Sequence, residues 1–587
     1  MSETEIKNPH YLVLYDVMGI QNFIFSTNKL RDNLGSSTIV ENILKEDLKN
    51  NVINSYDHLI LDYKKYDNPS DFKLDDIEKD PIVIYIAGGN ALLFFKDKER
   101  IKETTKKLTQ QLVLKTGNLL SIAMACKKIN PNDFLGDYDE IDRLIEKNKR
   151  EKIQSMPLLG IAITKEEFST GLPAQYCIKY ADKPDLEYVS YSTILKRKSS
   201  YETTYEKKYL EDNEYIKDRK LKFKYKFPRN IDYLCQIEGQ NDIAVIHIDG
   251  NDMGRKRKTF LEGKNYSQSL LKMNELSQKI TNLFVETTKK TIYNIIEKLP
   301  KLKKEEIIDC VRKEKKKAIN KINLPIRPLI LNGDDITFIS HGKLGIGFAE
   351  AFLKNLKKIQ NDVEKKEDYQ MDGKNLNFSG SAGVLIINTK FPFHRAYELS
   401  EALCKSAKTM GKAIEIKGKP GEAKKGNFIF TEGSWIDFHI SHSTVNINLA
   451  ETRNHRYNII GKEVPDKLKV RYLRNQYEVT QYNLLWRPWC IPTTNGSFQF
   501  MNDHNWSDLL SLIERFKNKD NKWPKNKLIR FKKSFLETAE RVDQFKLELE
   551  RRELKIPEFS GSSNIWKDRK TPYFDALDLM DYYYQIY

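Results

Sequence analysis

The sequence predicts an α/β protein of the α+β kind, in which one structural unit occurs twice. In each copy an apolar strand ends in an aspartate, at Asp16 in YLVLYD and at Asp249 in IAVIHID. A hairpin between two apolar strands follows, with Gly88 placed 72 residues after Asp16 and Asn332 placed 83 residues after Asp249. Self-similarity of this kind indicates duplication of one supersecondary unit. Aligning Gly88-Gly89-Asn90-Ala91 with Asn332-Gly333-Asp334-Asp335 leaves the first copy without hairpin aspartates.

The hairpin of the second copy, IRPLILNGDDITFIS (326–340), is the strongest functional signal in the chain. Asn332-Gly333 predicts a two-residue turn, because Asn and Gly both tolerate positive φ. The strands on either side are apolar enough to be buried, so Asp334 and Asp335 lie at the edge of a buried sheet. Side chains alternate between the two faces of a regular strand, which favours Asp334, at the turn, as the shared metal ligand. Two charges in such a place favour a bound cation.

The strand ending at Asp249 supplies a third carboxylate if it lies beside this hairpin. Its Asp-Gly end also exposes the Gly250 carbonyl. Oxygen ligands of this kind favour Mg²⁺ or Mn²⁺ and disfavour zinc. The sequence therefore predicts a metal site with Asp249, Gly250, Asp334 and Asp335. The structural alternatives are a polar turn for the hairpin aspartates and a helix N-cap for Asp249.

Composition indicates a cytosolic protein with an anionic partner. At 587 residues the chain is long enough for three or four domains of ~150 residues. The six cysteines form no C-x-x-C pair and are expected to be reduced, as in a cytoplasmic protein. The start of the sequence shows no apolar signal core, and no run reaches the ~18 apolar residues of a membrane span. The net charge of +17 favours binding of anions, which include RNA or another nucleic acid.

Basic residues form three runs, at 217–226, 255–258 and 301–321. The run RKRK (255–258) directly follows the acidic strand end, where the charge of a triphosphate would accumulate. The run at 217–226 interleaves aromatic residues with lysines, as nucleic-acid surfaces often do. The alternative for the first and third runs is a solvated, Lys-rich surface, since charge runs are common on helices.

Changes in composition predict four regions. Residues 1–180 form the first unit and close with a strand at 156–164; residues 181–238 form a linker or helical insertion. Residues 239–427 form the second unit, which ends in the loop KGKPGEAKKGN (417–427). Residues 428–587 form a mainly helical C-terminal domain, because 505–516 and 526–555 space apolar residues with helical periodicity.

Seven motifs of this chain occur in the same order in a known family. They are DVMGIQNFIFSTNKLRDNLG (16–35), IAGGNALLFF (86–95), STGLPA (169–174), DGNDMG (249–254), LPIRPLILNGDDITFI (324–339), SGSAGVLI (379–386) and FPFHRAYELSEALCKSAK (391–408). The chain resembles the large polymerase/cyclase subunit of type III CRISPR effector complexes and stand-alone bacterial proteins with the same paired palm domains. The resemblance covers roughly residues 10–410.

The resemblance implies two ferredoxin-like palms with nucleotides bound between them, and an active site only in the palm with the GGDD hairpin. The chain differs from the family pattern at Asn332, which replaces a glycine, and at Asn251-Asp252, which reverse the order of the D-x-D-N motif. It is expected to lack the N-terminal HD nuclease domain and the zinc ribbon. In the related cyclases the lysine that matches Lys408 meets the triphosphate. The nucleotide contacts expected in this chain are Asn251, Asp252, Met253, Gly254, Arg255, Asn332, Gly333, Ser379 and Lys408, with Gly88 and Gly89 in the first palm.

The expected function is metal-dependent nucleotidyl transfer, with Asp249, Asp334 and Asp335 as the catalytic residues. Such an enzyme joins ATP or another NTP into cyclic or linear oligonucleotides that signal to an effector protein encoded elsewhere, in antiviral defence. The first alternative is a catalytically silent palm pair that senses nucleotides or serves as a nucleic-acid or protein scaffold. The second alternative is a template-dependent polymerase or primase. His247 and His394 were considered as general bases, but a structural role is favoured for both.

Overall fold

A computed structural model describes most of the chain, and the two duplicated units can be compared directly. The described residues are 10–66, 68–151, 160–179, 186–202, 204–217, 224–235, 237, 239–309, 321–362, 367–417, 433–441, 448–463, 478–491, 504–518 and 523–587. The fold is α+β, as predicted.

The first unit contains a five-stranded sheet in the order β2-β3-β4-β1-β5. Strand β1 is apolar along its length, and it lies in the middle of the sheet with antiparallel neighbours on both sides. Helix α3 begins at an Asp97 N-cap and ends at Gly117, which takes the left-handed conformation that favours glycine. The elements are β1 (Tyr11–Met18), α1 (Ile20–Ile24), α2 (Leu30–Asn42), β2 (Leu59–Ile60), β3 (Ile82–Ala87), β4 (Asn90–Phe95), α3 (Lys98–Thr116), β5 (Ser121–Lys128) and α4 (Phe134–Glu151).

The segment between the two units contains strands as well as helices. A hairpin precedes the short helix α5, which packs on α2 of the first unit. The described elements are β6 (Tyr176–Lys179), β7 (Leu186–Val189), α5 (Tyr191–Ser199), α6 (Glu214–Lys217) and β8 (Lys224–Lys226). The predicted strand at 156–164 lies partly outside the described residues, and its described part, 160–164, is irregular and contains a turn.

The second unit contains a six-stranded sheet in the order β11-β12-β9-β15-β16-β19, in which β16 (Ser434–Ile440) and β19 (Trp489–Ile491) come from the C-terminal region. Its long helix α8 begins with a capping box in which Asn265 and Gln268 bond each other's backbone. The elements through the sheet's fourth strand are β9 (Asp242–Gly250), α7 (Met253–Leu261), α8 (Tyr266–Lys304), β10 (Lys321–Asn323), β11 (Ile326–Asn332), β12 (Asp335–His341), α9 (Gly345–Gln360), β13 (Gln370–Met371), β14 (Lys374–Asn375) and β15 (Gly380–Asn388), followed by α10 (Phe393–Lys417).

The C-terminal region is less separate from the second unit than its composition predicts. Strand β16 pairs parallel to β15, and β19 pairs with β16, so the sheet continues beyond the boundary predicted at residue 427. The segment 526–555, predicted to be helical, contains two helices, α13 (Lys525–Ser534) and α14 (Ala539–Glu550). Of the predicted loop at 417–427, Lys417 is the last residue of α10, and 418–427 lie outside the described residues. The elements are β16 (Ser434–Ile440), α11 (Leu449–Arg456), β17 (Asn458–Glu463), β18 (Glu478–Asn483), β19 (Trp489–Ile491), α12 (Trp506–Lys517), α13 (Lys525–Ser534), α14 (Ala539–Glu550) and α15 (Pro572–Leu579).

The two units have the same ferredoxin-like topology. In the first, β1, α2, β3, β4, α3 and β5 form a βαββαβ motif with strand order 3-4-1-5, and in the second β9, α8, β11, β12, α9 and β15 do the same with order 11-12-9-15. The antiparallel register shifts at Ile84 in β3 and at Leu329 in β11, so both hairpins carry a β-bulge at the same distance from the turn. We call the two units the first and the second palm.

Each palm holds the bulge of the other palm with a polar side chain. In the second palm, Asn274 on α8 donates hydrogen bonds to the carbonyls of Leu61 (2.9 Å) and Ile84 (2.7 Å) and accepts one from the Tyr63 N–H (3.0 Å). In the first palm, Ser37 on α2 donates to the Leu329 carbonyl. A bulge leaves a backbone group unpaired in its own ladder, so these contacts satisfy buried groups and fix one palm on the other.

The second palm and the C-terminal region share a hydrophobic core, and a further cluster includes residues of both palms. Among the described residues, no helix has both the length and the apolar character needed to cross a membrane. The chain terminus docks on the second palm, where Tyr582 bonds Asp242 (2.9 Å) and Tyr583 bonds Glu350 (2.6 Å).

Asn274→Ala should destabilise the protein by about 2–4 kcal/mol, because it leaves buried backbone groups of the first palm without partners. The free energy of unfolding in urea measures the effect. Asn282→Ala, an exposed position on the same helix, is the matched control and should change it by less than ~0.5 kcal/mol. Equal effects of the two substitutions would contradict the role assigned to Asn274.

Candidate active site

The strand register of the second palm brings its three predicted aspartates to one edge of the sheet. Strand β12 pairs antiparallel with β9 through Ile336 and Ile248, so the next residues along, Asp335 and Asp249, lie side by side. Asp334 follows from the turn, and its Oδ2 lies only 3.0 Å from where a Cβ of residue 250 would be. A glycine at 250 therefore permits this close approach of Asp334.

The hairpin turn differs from the predicted one by a single residue. Asn332 pairs with Asp335, so the central residues of the turn are Gly333 and Asp334. Of these only Gly333 has positive φ (61°), which is the pattern of a type II′ turn. Asn332 is the last residue of β11 and does not have a positive φ, so the tolerance of Asn for positive φ plays no part in the turn.

The same shift corrects the alignment of the two palms. In the first palm Ala87 pairs with Asn90 around Gly88 and Gly89. By turn position, Asp334 therefore matches Gly89 and Asp335 matches Asn90, one residue away from the alignment made on the sequence. Asp16 pairs with Asn90, as Asp249 lies beside Asp335, so the match of Asp16 with Asp249 is confirmed.

Repulsion and burial raise the pKa values of the hairpin carboxyls. Burial is the larger cause for Asp334 and Asp335, followed by the charge of Asp249, and both pKa values reach about 7. The Asp335 side chain is 46% exposed, but its Oδ1 is enclosed and has no hydrogen-bond partner among the described residues. Glu401 on α10 adds a fourth negative charge near Asp335.

Lys408 is the cation that faces these carboxylates. It projects from α10, donates to Oδ2 of Asp249, and donates to the Gly250 carbonyl at 2.9 Å. Its charge opposes the rise in the pKa of Asp334 and Asp335. One ammonium group among four carboxylates leaves the site with an excess of negative charge.

The donor chemistry of the site fits a hard divalent cation. Carboxylate and carbonyl oxygens are the ligands that Mg²⁺ and Mn²⁺ prefer, and the enclosed Asp335 Oδ1 still has no hydrogen-bond donor. Within the described part of the chain, however, no three acidic, His or Cys side chains already converge as a metal-binding group. Lys408 donates to Asp249 Oδ2 and to the Gly250 carbonyl instead, so a metal bound through these same two oxygens would displace Lys408.

The two histidines considered as bases are placed differently. His247 is buried beside the site, with Nδ1 3.3 Å from Thr337 Oγ1 and 3.6 Å from Asp335 Oδ1. Burial lowers the pKa of His247, so the ring is held neutral. His394 is exposed at the start of α10 and lies 3.6 Å from Glu398.

Hydrogen bonds of Asn251 and Asp252 fix the turn that follows β9. The Asn251 amide donates to Ser379 Oγ (3.1 Å) and accepts from Ser381 Oγ (2.9 Å). Asp252, at φ 57°, bonds Arg255 at 2.6 Å. Met253 packs under Gly250, whereas a side chain at Gly254 would meet open space.

Three residues of the RKRK run (255–258) contact other parts of the protein. Lys256 is buried and donates to the Asn377 carbonyl at 2.6 Å. Arg257 stacks on the Tyr138 ring at 3.9 Å, and Lys258 bonds Asp139 at 2.8 Å, both on α4 of the first palm. The other two basic runs lie largely outside the described residues, at 218–223 and 310–320.

The first palm retains half of the same site. Asp16 lies 2.6 Å from Lys149 on α4, just as Asp249 is bonded by Lys408 on α10. Both helices begin at a phenylalanine, and the two lysines are the sixteenth residue of each. The first palm therefore keeps the Asp–Lys pair and lacks the hairpin carboxylates.

A shared helix pattern was missed in the sequence. Helices α4 and α10 both read F-x₃-Y-x₃-[D/E]-x₆-K, which places the tyrosine, the acid and the lysine on one helix face. In α10 the tyrosine and the acid are Tyr397 and Glu401, and Gln21 of the first palm reaches them at 3.3 and 3.5 Å. Aligning 134–149 with 393–408 would have identified Glu401 and Lys149.

The hairpin turns of the two palms face each other. A Cβ at Gly88 would lie 3.9 Å from the Asn332 carbonyl. The space between the turns is narrow, about 40 Å³, and is bordered by residues that include Lys45, Lys208 and Gly333. Gly89 contacts Ile20, the first residue of α1.

Comparisons with known proteins return likenesses in structure alone. No protein-family model matches this sequence, and a comparison with curated proteins finds no match. Among solved structures, the chain is similar to a Csm1-Csm4 cassette in complex with cA4 (13% identity, TM-score 0.38) over 69% of this chain and 53% of that one. It is similar to the cassette in complex with AMPPNP (13%, 0.39, 69% and 54%) and to the Csm1-Csm4 subcomplex of the type III-A CRISPR-Csm interference complex (12%, 0.39, 70% and 55%). The chain thus spans about half the length of the solved chains it matches.

Changing Asp334 and Asp335 together to Asn should raise the melting temperature of the metal-free protein above pH 7. Because the folded-state pKa values lie above the unfolded ones, the wild type loses stability as the pH rises from about 4 to about 7, and the variant does not. Near pH 4 the two proteins should melt together. Asp581→Asn, at an exposed carboxylate, is the control, and a lower melting temperature of the double variant at pH 8 would contradict the repulsion.

Proposed function

We propose that the protein is a divalent-metal-dependent nucleotidyltransferase that joins ATP into cyclic or linear oligoadenylate. The observation that supports this most is the convergence of Asp249, Asp334 and Asp335 at one sheet edge, with Lys408 facing them. The excess negative charge there suits a metal–triphosphate complex, and the palm topology supplies a rigid platform for it. The resemblance to type III CRISPR cyclase subunits supports antiviral signalling as the setting.

In this proposal, Asp249, Asp334, Asp335 and the Gly250 carbonyl hold Mg²⁺ or Mn²⁺. A cation bound there would lower the pKa of an attacking ribose hydroxyl and neutralise the triphosphate. The hydroxyl oxygen of one ATP attacks the α-phosphorus of another, the bond to pyrophosphate breaks, and the hydroxyl proton passes to solvent. Positioning and charge neutralisation supply most of the catalysis in such transfers.

Lys408 changes partner in this scheme. In the metal-free site its ammonium neutralises Asp249, and metal binding to Asp249 releases it toward the phosphates of the incoming nucleotide. The exchange keeps Asp249 paired with a cation in both states. Arg255 donates a hydrogen bond to Asp252. It is the first basic residue after Gly250 in the sequence, and in this proposal it contacts a phosphate as well.

The first palm takes the second nucleotide in this proposal. Its Gly88-Gly89 turn faces the Asn332 carbonyl of the other hairpin, and its Asp16 is already neutralised by Lys149. Asn90 and Ala91 offer one neutral side-chain oxygen between them, which is too little to hold a hard divalent cation. This palm therefore binds without catalysing.

A catalytically silent nucleotide sensor is the second candidate. It is favoured by one observation, the bonding of Lys408 to both Asp249 and Gly250, which leaves no preassembled metal-binding group among the described residues. A sensor of this kind would bind ATP and release no pyrophosphate.

The Asp334→Asn, Asp335→Asn double variant should abolish pyrophosphate release from ATP in the presence of Mg²⁺ or Mn²⁺. The loss should exceed 10³-fold, since Asp249 would be the one proposed metal ligand that keeps its carboxylate. Labelled ATP and separation of the products measure turnover, with Asp581→Asn as the control. A wild type that binds ATP without any product supports the sensor, and a double variant with full turnover would refute the catalytic assignment.

Lys408→Ala should lower kcat/KM for ATP by about 10- to 100-fold, equivalent to ~1.4–2.7 kcal/mol for one charge-assisted contact. Lys408→Arg should recover part of this loss, because the charge is kept and the compact ammonium is not. Lys405→Ala, three residues away on the exposed side of α10, is the matched control. If Lys408→Ala leaves both kcat and KM unchanged, Lys408 only neutralises Asp249 in the metal-free protein.

A further inference from the structure

A second cavity lies in the first palm, on the side of α1 away from the carboxylates. Its volume is about 370 Å³, and it is enclosed by α1, the start of β5, the segment 169–172 and α5. Gln21, on the opposite side of the same short helix, reaches Tyr397 and Glu401 of the second palm. The cavity is therefore separate from the candidate active site.

A buried lysine lines this cavity without a carboxylate partner. Lys196 is 1% exposed, and its Nζ donates to the Phe23 carbonyl (2.8 Å) and to Ser26 Oγ (2.7 Å). An ammonium has three N–H donors, so one has no hydrogen-bond acceptor, although the Phe23 ring lies 4.1 Å from Nζ in a cation–π contact that supplies no counter-charge. Among the described residues, no acidic side chain lies within ion-pair distance of Lys196. A buried cation without a counter-charge is costly.

The two nearest acids are fully engaged elsewhere. Asp32 accepts from the Arg197 guanidinium at 3.0 Å. Glu167 accepts hydrogen bonds from the hydroxyls of Ser169, Thr170 and Thr193 at 2.7 to 3.0 Å. Burial lowers the pKa of Lys196 to about 8, with both acids opposing the shift, so the amine remains mostly protonated at neutral pH.

A buried hydroxyl accompanies the lysine on the same helix face. Ser192 lies four residues before Lys196 on α5, is 5% exposed, and its Oγ has no hydrogen-bond partner among the described residues. Buried polar atoms without partners are rare in folded proteins. Both side chains line the cavity, so both can meet one ligand.

The walls of the cavity are held in place. A side chain at Gly35 of α2 would overlap the Lys196 carbonyl, so α5 packs on α2 at backbone contact. Glu167 organises the opposite wall through the hydroxyls of Ser169 and Thr170. Apolar side chains of Leu119, Leu120 and Leu172 cover the rest.

We propose that this cavity is a second ligand site, which takes a small molecule with one anionic group and an apolar body, for which a planar aromatic ring serves as the probe. The anionic group, a phosphate or a carboxylate, accepts from the spare N–H of Lys196 and from Ser192 Oγ. The apolar body lies against the leucines. A volume of about 370 Å³ is at the small end of ligand pockets.

Thermal unfolding with simple probes tests the proposal in EDTA, where the carboxylate site holds no metal. Phenyl phosphate and benzoate should raise the melting temperature with saturable dose dependence, and inorganic phosphate should do so more weakly. Benzyl alcohol, which has the planar body and no charge, should have little effect. The difference between phenyl phosphate and benzoate tells which anionic group the site prefers.

Lys196→Met keeps the length of the side chain and removes its charge, and it should weaken binding of the anionic probes by 10-fold or more. Ser192→Ala should weaken it by about 3- to 10-fold and leaves folding unaffected, because the hydroxyl has no partner to lose. Lys198→Met, an exposed lysine on the same helix, is the matched control.

No saturable stabilisation of the wild type by any anionic probe at up to about 50 mM would overturn the proposal. Equal stabilisation of the wild type and of Ser192→Ala by the anionic probes would also overturn the proposal. This comparison remains valid even if Lys196→Met does not fold. Nucleotidyl transfer plays no part in the assay. The anion site can therefore be present in a protein that forms no product, and it can fail in one that does.

Discussion

Each palm's hairpin is fixed by a helix of the other palm. The bulges at Ile84 and Leu329 leave backbone carbonyls without a partner in the sheet ladder, and Asn274 and Ser37 supply the missing donors across the interface. The bulge in β11 sets its pairing with β12, which puts Gly333 and Asp334 in the turn, and the regular pairing of β12 with β9 places Asp335 beside Asp249. A palm separated from its partner would have a buried, unsatisfied carbonyl three residues from the end of the strand that leads into the turn. The hairpin that carries the two aspartates is therefore stabilised by the other palm.

The charge balance distinguishes the two palms. In the first, Asp16 meets Lys149 at the sheet edge, and Asp142 and Glu146 of α4 lie nearby. In the second, the Asp–Lys pair is kept, Glu401 takes the place of Asp142, and the hairpin adds Asp334 and Asp335. A ligand that binds only the folded protein and removes the repulsion between these carboxylates stabilises the bound state relative to the free one. The duplication thus yields one palm with hairpin carboxylates and one palm without them.

The sequence was sufficient for the fold class, the duplication and the three aspartates, because long apolar strands and Gly-containing turns are local signals. It was insufficient for the register of the hairpin. In the sequence, Gly88-Gly89 aligns most simply with Asn332-Gly333. The pairing of the two strands of each hairpin, however, depends on the bulges, and nothing about Ile84 or Leu329 in the sequence indicates a bulge. The sequence reading also placed a boundary at 427, although SWIDFHI (434–440) completes the sheet; its Asp437 and His439 are polar and fully buried, which hides a central strand. Glu401 and Lys149 were accessible to pattern comparison, since α4 and α10 share their spacing.

The contacts of α7 and α1 limit how the candidate site can change shape. Arg257 and Lys258 attach α7 to α4 of the first palm, while Gln21 attaches α1 to α10 of the second. In each palm, the helix that follows the first strand therefore contacts the lysine-bearing helix of the other palm. Helix α7 contacts α4, which carries Lys149, and α1 contacts α10, which carries Lys408. A shift of α10 that releases Lys408 from Asp249 must also move the contact of Gln21 with Tyr397 and Glu401. Lys408 can instead exchange partners by rotating its own flexible side chain, which leaves the palm interface intact. The reciprocal anchoring favours this side-chain route, because moving a helix would break contacts in both palms at once.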